Sequence, residues 1–257
     1  MPAHLTPERI WFDGAFGDRL AARLDRPKQD PQAYALFAHC FTCSKDLKAV
    51  HRISRELVGR GIGVFRFDFT GLGESEGDFA DTNFSSNIED LVAAADHMRK
   101  SYQAPRVLIG HSLGGAAVLA AAPRVPECVA VATIGAPSEP DHVRKTLTRS
   151  NPEIEARGES EVRIGGRSFR IREQFLEDLA KYTLEESIGR LDRALLVLHS
   201  PIDKVVGIEH ARRIFEAAKH PKSFVALDGA DHLLLENERD ARFAADMIAT
   251  WAGRYLG

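Results

Sequence analysis

Cysteine is scarce: three in 257 residues, at Cys40, Cys43 and Cys128, too few for a disulfide framework and in keeping with a reducing, cytoplasmic compartment. Long hydrophobic runs are missing as well. No stretch approaches the roughly 20 apolar residues that a membrane-spanning helix needs, so no membrane association is expected. The chain opens on Met1-Pro2-Ala3-His4-Leu5-Thr6-Pro7-Glu8 without a cationic segment leading into an apolar one, so secretion is not signalled. An excess of either charge is lacking too. Lys and Arg number 34 against 37 Asp and Glu, a formal net charge of -3 that supplies no basic field for nucleic acid or anionic lipid. What remains is the composition of a globular protein, 44% hydrophobic, without repeats or low-complexity segments. A chain of this length can bury roughly 70 to 75% of its unfolded surface in one core, so a single domain over 1–257 is expected.

Against that background one segment stands out. The apolar run Arg106-Val107-Leu108-Ile109 leads into Gly110-His111-Ser112-Leu113-Gly114, and the small residues from Gly115 to Ala122 follow. Strand, then G-x-S-x-G, then helix is the order of a nucleophile elbow. Such a turn reverses the chain within about two residues, strains the serine and exposes its hydroxyl, and glycines clear the space where strand and helix pass. G-x-S-x-G alone arises by chance in a chain this long with a probability on the order of one in ten, so the flanks carry the assignment.

A serine hydroxyl needs a base, and the base needs a carboxylate to orient it. The strand-like run Ala194 to His199 ends in Ser200-Pro201-Ile202-Asp203, which sets Asp203 at the carboxyl edge of a parallel sheet. The run Ser223 to Leu227 then turns through Asp228-Gly229-Ala230-Asp231 to His232 at the same edge. Ser112, Asp203 and His232 are therefore the candidate nucleophile, acid and base. His199 closes a strand, while His210 and His220 lie within and just after the helical stretch Ile208 to Ala218, where packed or solvated histidines are the rule. Asp192 precedes its strand and lies at the wrong edge; Asp228 and Asp231 read as turn formers.

The oxyanion of an acyl transfer needs two backbone N–H donors. One is expected from Leu113, the residue after the nucleophile, and the other from the loop after the run Tyr34 to His39. Here a family resemblance emerges. His39-Cys40-Phe41 resembles the His-Gly-x oxyanion turn of the α/β-hydrolase family, Asp68-Phe69-Thr70-Gly71-Leu72-Gly73-Glu74-Ser75 resembles its Asp-x-x-Gly-x-Gly-x-Ser loop, and Gly110 to Gly114 is similar to its elbow. The resemblance implies that Phe41 supplies the second N–H. Cys40 stands where the family usually has glycine; a positive φ there would cost about a kcal/mol or more of strain. The stretches His39 to Asp46 and Asp81 to Asn87 resemble a narrower group, the hydrolase domain of bacterial fusions to an OsmC-like peroxide-reducing domain. The sequence stops at Gly257, where the hydrolase fold is expected to end, so no peroxidase function is carried over.

Cys40-Phe41-Thr42-Cys43 also reads as Cys-x-x-Cys. A zinc site would need further ligands that Cys128 alone does not provide, so no metal or cofactor is expected. Two reduced loop residues rank ahead of a redox pair at a helix N-terminus. Along the chain a hairpin over Arg9 to Asp25 precedes strands at 34–39, 62–67, 106–110 and 128–134, alternating with helices near 46–59, 84–102 and 112–122. That rhythm implies an α/β fold with a mostly parallel, doubly wound sheet of about eight strands. Residues 137–190 break it with charges, a hairpin signal over 162–171 and an amphipathic helix through Phe175 and Leu176, which reads as a small lid insertion whose Phe175 and Leu176 contact substrate. The expected function is a serine hydrolase of the carboxylesterase type, acting on a small-molecule ester with short acyl chains, with a homodimer left open. A thioesterase or peptidase using the same residues, or a ligand-binding member without turnover, is the alternative.

Overall fold

In this computed structural model residues 6–40, 43–151, 153–164 and 167–257 are described. The hairpin β1 (Glu8–Asp13) and β2 (Arg19–Asp25) leads into β3 (Ala33–Ala38), α1 (Lys48–Gly59) and β4 (Ile62–Phe67). Helix α2 (Phe84–Ser101) precedes β5 (Val107–His111), α3 (Leu113–Ala121) and β6 (Ala130–Ile134). An inserted segment holds α4 (Asp141–Ser150), α5 (Glu153–Arg157), the hairpin β7 (Glu159–Ile164) and β8 (Arg167–Arg172), α6 (Glu173–Lys181) and α7 (Leu184–Gly189). The chain closes through β9 (Ala194–His199), α8 (Ile208–Ala217), β10 (Lys222–Ala226) and α9 (Glu238–Leu256).

The main sheet has eight strands in the order β1-β2-β4-β3-β5-β6-β9-β10, parallel from β4 to β10 and antiparallel at β1 and β2. This is the mostly parallel sheet of about eight strands that the alternation of runs implied. Central strands are buried end to end because helices cover both faces, which is why their sequences read as unbroken apolar runs. Alternate residues of one strand serve opposite layers: Leu36 and Ala38 pack with α2 and α3, Ala35 and Phe37 with α1 and α9. Helix α2 starts with a reciprocal capping box in which Asn83 and Ser86 exchange side-chain and backbone bonds.

The inserted segment is tied down rather than merely draped. Backbone N–H and hydroxyl of Ser85, in the first turn of α2, donate to Asp178 of α6 at 2.7 and 2.8 Å. Gln174 donates to the Ala80 carbonyl at 3.2 Å, Arg170 pairs with Asp78, and the Phe84 and Tyr182 rings meet edge to face at 4.8 Å. Of the segment's elements, α6 and the hairpin are marked in the sequence by apolar pattern, whereas α4, α5 and α7 are not. Helix α4, Asp-His-Val-Arg-Lys-Thr-Leu-Thr-Arg-Ser, has so few apolar positions that its periodicity is faint. No helix among the described residues is long and apolar enough to cross a membrane.

Candidate active site

The turn between β5 and α3 places Ser112 in the left-handed region at φ 55°, which a serine adopts only when its surroundings enforce it. The glycines on either side explain how. A side chain on Gly110 would strike the Gly114 backbone, and one on Gly114 would strike the Ala38 and His39 carbonyl oxygens. The turn is further fixed by Ser112 N–H donating to the Ile134 carbonyl at 2.9 Å and Gly115 N–H to that of Ser112 at 2.8 Å.

Strands β9 and β10 end level with this turn, since Ala226 pairs with His199 and Leu198 with Ile134, itself opposite His111. Their loops bring the other two candidates in. His232 Nε2 lies 3.0 Å from Ser112 Oγ, and His232 Nδ1 lies 2.7 Å from Asp203 Oδ2. The carboxylate only accepts, so Nδ1 carries the proton and Nε2 presents its lone pair to the serine hydroxyl. Asp203 Oδ1 accepts from the N–H groups of Val205 and Val206 at 2.8 and 3.0 Å. Burial alone would push this carboxyl up; the His232 contact and the two backbone donors outweigh it and hold the group below the usual carboxylate range.

The competing residues have other partners. His199 donates Nε2–H to the Val206 carbonyl at 2.7 Å, closing the loop that carries Asp203, and burial lowers its pKa. His210 sits against Ser138, with Oγ to Nδ1 at 2.9 Å, and its ring meets that of His142 at 4.5 Å. Asp231 accepts from the N–H groups of Leu233, Leu235 and Glu236, the turn-forming role its position suggested. Asp228 and His220 are exposed.

Leu113 opens α3, where the first backbone N–H groups have no intrahelical acceptor. Phe41 lies outside the described residues. Its neighbours require two corrections. Cys40 is buried but does not adopt a positive φ, so the strain expected from replacing glycine does not arise. Cys40 and Cys43 are joined in a disulfide, not two separate thiols, because the Cys43 N–H to Cys40 carbonyl turn, at 3.0 Å, brings their Cα atoms to 5.3 Å. Cys128 is free and buried. Phe175 and Leu176 are buried in the apolar core cluster, the Phe175 ring 5.6 Å from that of Phe79.

Two features of the site escaped the sequence. Gly135, at φ 56°, follows β6 and leaves Asp203 Oδ2 and His232 Nδ1 each 3.3 Å from where a Cβ would stand. Lys45 is 1% exposed, and its ammonium reaches Asp68 and Glu74, both at 2.7 Å. Asp68 also accepts from the Lys45 and Glu74 N–H groups at 2.6 and 2.9 Å. Its desolvation is outweighed by the His39 imidazole, 3.5 Å away, and by the hydrogen bonds from Lys45 and Glu74, which keep the carboxyl well below the usual range. The Asp68 to Ser75 loop thus anchors the far end of the segment that starts at His39.

Residues 35–246 match the sequence model of the Alpha/beta hydrolase family. The crystal structure of the esterase domain from a Rhodothermus marinus protein is similar, with a TM-score of 0.81 and 52% identity over 98% of this chain and 100% of that one. Monoglyceride lipase of Homo sapiens is 26% identical over 264 residues, covering 89% of this chain and 86% of that protein. Mitochondrial palmitoyl-protein thioesterase ABHD10 of Rattus norvegicus is 30% identical over 186 residues, which is 68% of this chain and 61% of that protein.

Proposed function

The chain belongs to the Alpha/beta hydrolase family, and on that premise we propose that it is a serine hydrolase cleaving short-chain carboxylic esters through an acyl-enzyme intermediate. The observation that carries the reading is the unbroken line from Asp203 through His232 to Ser112, with contacts of 2.7 and 3.0 Å. In this mechanism Ser112 Oγ attacks the ester carbonyl while its proton passes to His232 Nε2. Asp203 keeps the imidazole in the required tautomer and stabilises the imidazolium. The N–H groups of Leu113 and Phe41 receive the developing oxyanion. Collapse of the tetrahedral intermediate expels the alcohol, which takes the proton from His232. Water, deprotonated by the same nitrogen, then releases the acid and regenerates Ser112.

The inserted segment roofs the site in this account, and Phe175 and Leu176, buried against the core, act on the acyl pocket by supporting that roof rather than by lining it. Each buried methylene is worth roughly 0.8 kcal/mol, so affinity grows with chain length only while room lasts. The roof offers few apolar patches beyond 169–171 and 175–179, so the best substrates should run from acetate to about hexanoate. Thioester cleavage is the second reading, favoured by the similarity to a palmitoyl-protein thioesterase. A panel of chromogenic esters from two to about twelve acyl carbons, with thioesters of matched acyl groups, tests both. The first reading expects an optimum at short esters; an optimum at about ten carbons or more, or a clear preference for thioesters, overturns it. The proposed location is cytoplasmic, tested by fractionating the producing cells and following the protein with ester hydrolysis.

A further inference from the structure

The residue before Ser112 carries an imidazole that the proposed reaction does not use. His111 closes β5, is 4% exposed, and its Nε2 lies 2.7 Å from the carbonyl oxygen of His232. A carbonyl only accepts, so Nε2 bears the proton and donates it. Nδ1 is buried without a hydrogen-bond partner among the described residues. A second proton there would set an unpaired N–H and a charge beside His232, whose ring centroid is 5.1 Å away. Burial, with the neighbouring His232, pushes the pKa of His111 down to about 3, so the imidazole is neutral at working pH.

The loop that carries His232 has its own internal brace. Asp231 gathers the N–H groups of Leu233, Leu235 and Glu236 at 3.0, 2.8 and 2.9 Å, and Leu234 N–H donates to the Asp231 carbonyl at 3.1 Å. That brace sets the shape of the loop, whereas the bond from His111 sets where the loop sits relative to β5. Asp203 governs how the His232 ring turns; the distance from that ring to Ser112 depends on where the His232 backbone lies.

We infer that His111 is a positioning residue: its Nε2–H pins the backbone of His232 to the end of the strand that leads into Ser112, so one hydrogen bond and one peptide link hold base and nucleophile in register. This rests on the reading of Ser112 and His232 as nucleophile and base. A misplacement of about 1 Å between reacting groups can cost on the order of 100-fold in rate, so a bond that fixes this distance acts on turnover rather than on substrate binding.

Side-chain amides separate the donor from the volume. In glutamine the amide nitrogen falls near the place of Nε2, while in asparagine it falls near Nδ1 and stops short of His232. His111→Gln should keep kcat within about threefold of native, whereas His111→Asn and His111→Leu should lose roughly 10- to 100-fold, with KM moving less than about twofold in each. Melting curves run alongside, and if the leucine variant does not fold, the two amides decide the matter between them. Glutamine and asparagine variants that are equally active, or equally impaired, overturn the inference, as does a loss confined to KM. The underlying reading fails separately. A native protein in which a fluorophosphonate leaves Ser112 unlabelled removes both, while labelled native protein with indifferent variants removes only the role of His111.

Discussion

Replacing Asp203 by asparagine perturbs the proposed machinery without changing its size. Oδ1 of Asp203 is committed to the N–H groups of Val205 and Val206 at 2.8 and 3.0 Å, which leaves Oδ2 for His232 Nδ1 at 2.7 Å. An asparagine keeps its carbonyl oxygen on the two backbone donors, because the reverse orientation would set its NH2 against them. The NH2 then faces Nδ1 and, as a donor, obliges that nitrogen to present its lone pair. The ring proton moves to Nε2, so the atom 3.0 Å from Ser112 Oγ can no longer accept the serine proton. The expected fall in kcat is on the order of 10³ to 10⁴, equivalent to about 4 to 5.5 kcal/mol of transition-state stabilisation. The fold should persist, with the melting temperature within a few degrees of native for a change of about 1 kcal/mol. Turnover of a chromogenic butyrate ester, read beside a melting curve, measures both. A variant that melts like the native protein and keeps kcat within about tenfold would refute the reasoning. So would a larger loss from Asp228→Asn, since Asp228 is exposed.

Other outcomes follow from the surrounding structure. Lys45→Met removes the ammonium that pairs with fully buried Asp68, and should cost on the order of 3 to 5 kcal/mol in chemical denaturation; an unchanged midpoint would show that the pair is dispensable. His111 and His210 are held at about 3 and about 4, chiefly by burial, against about 6.5 for an exposed imidazole. Below that value the unfolded chain binds more protons than the native one, so stability falls as pH drops from about 6.5 towards about 4; a urea midpoint that is flat over this window would contradict it. With Cys40 and Cys43 joined, the unreduced, denatured chain should titrate only the Cys128 thiol, with the other two appearing after reduction; three thiols beforehand would break the assignment.

Much of this arrangement was legible in the sequence for a definite reason. Central parallel strands such as β5 and β9 are buried on both faces, so they stand out as apolar runs, and the residues that follow them must lie at one sheet edge. That is why Ser112, Asp203 and His232 could be selected over His199, His210 and Asp192 by position alone. The elbow is likewise a local matter of glycine and strain. Lys45 was not legible, because a lysine reads as a solvated charge until Asp68 and Glu74 are known to surround it. Helices α4, α5 and α7 were not legible because they are short or carry few apolar positions, as in the Asp-His-Val-Arg-Lys-Thr-Leu-Thr-Arg-Ser of α4, so no strong apolar period marks them. The disulfide between Cys40 and Cys43 ranks behind two reduced thiols on the sequence because the spacing alone fits several chemistries.

The central claim is that one residue, Ser112, is the nucleophile. A fluorophosphonate probe, followed by digestion and mass spectrometry, tests it most directly on the native protein and on Ser112→Ala. The account predicts a single adduct on the peptide containing Ser112, and no adduct and only residual ester hydrolysis in the variant. Labelling that survives the substitution, or that maps to another serine in the native chain, would contradict it.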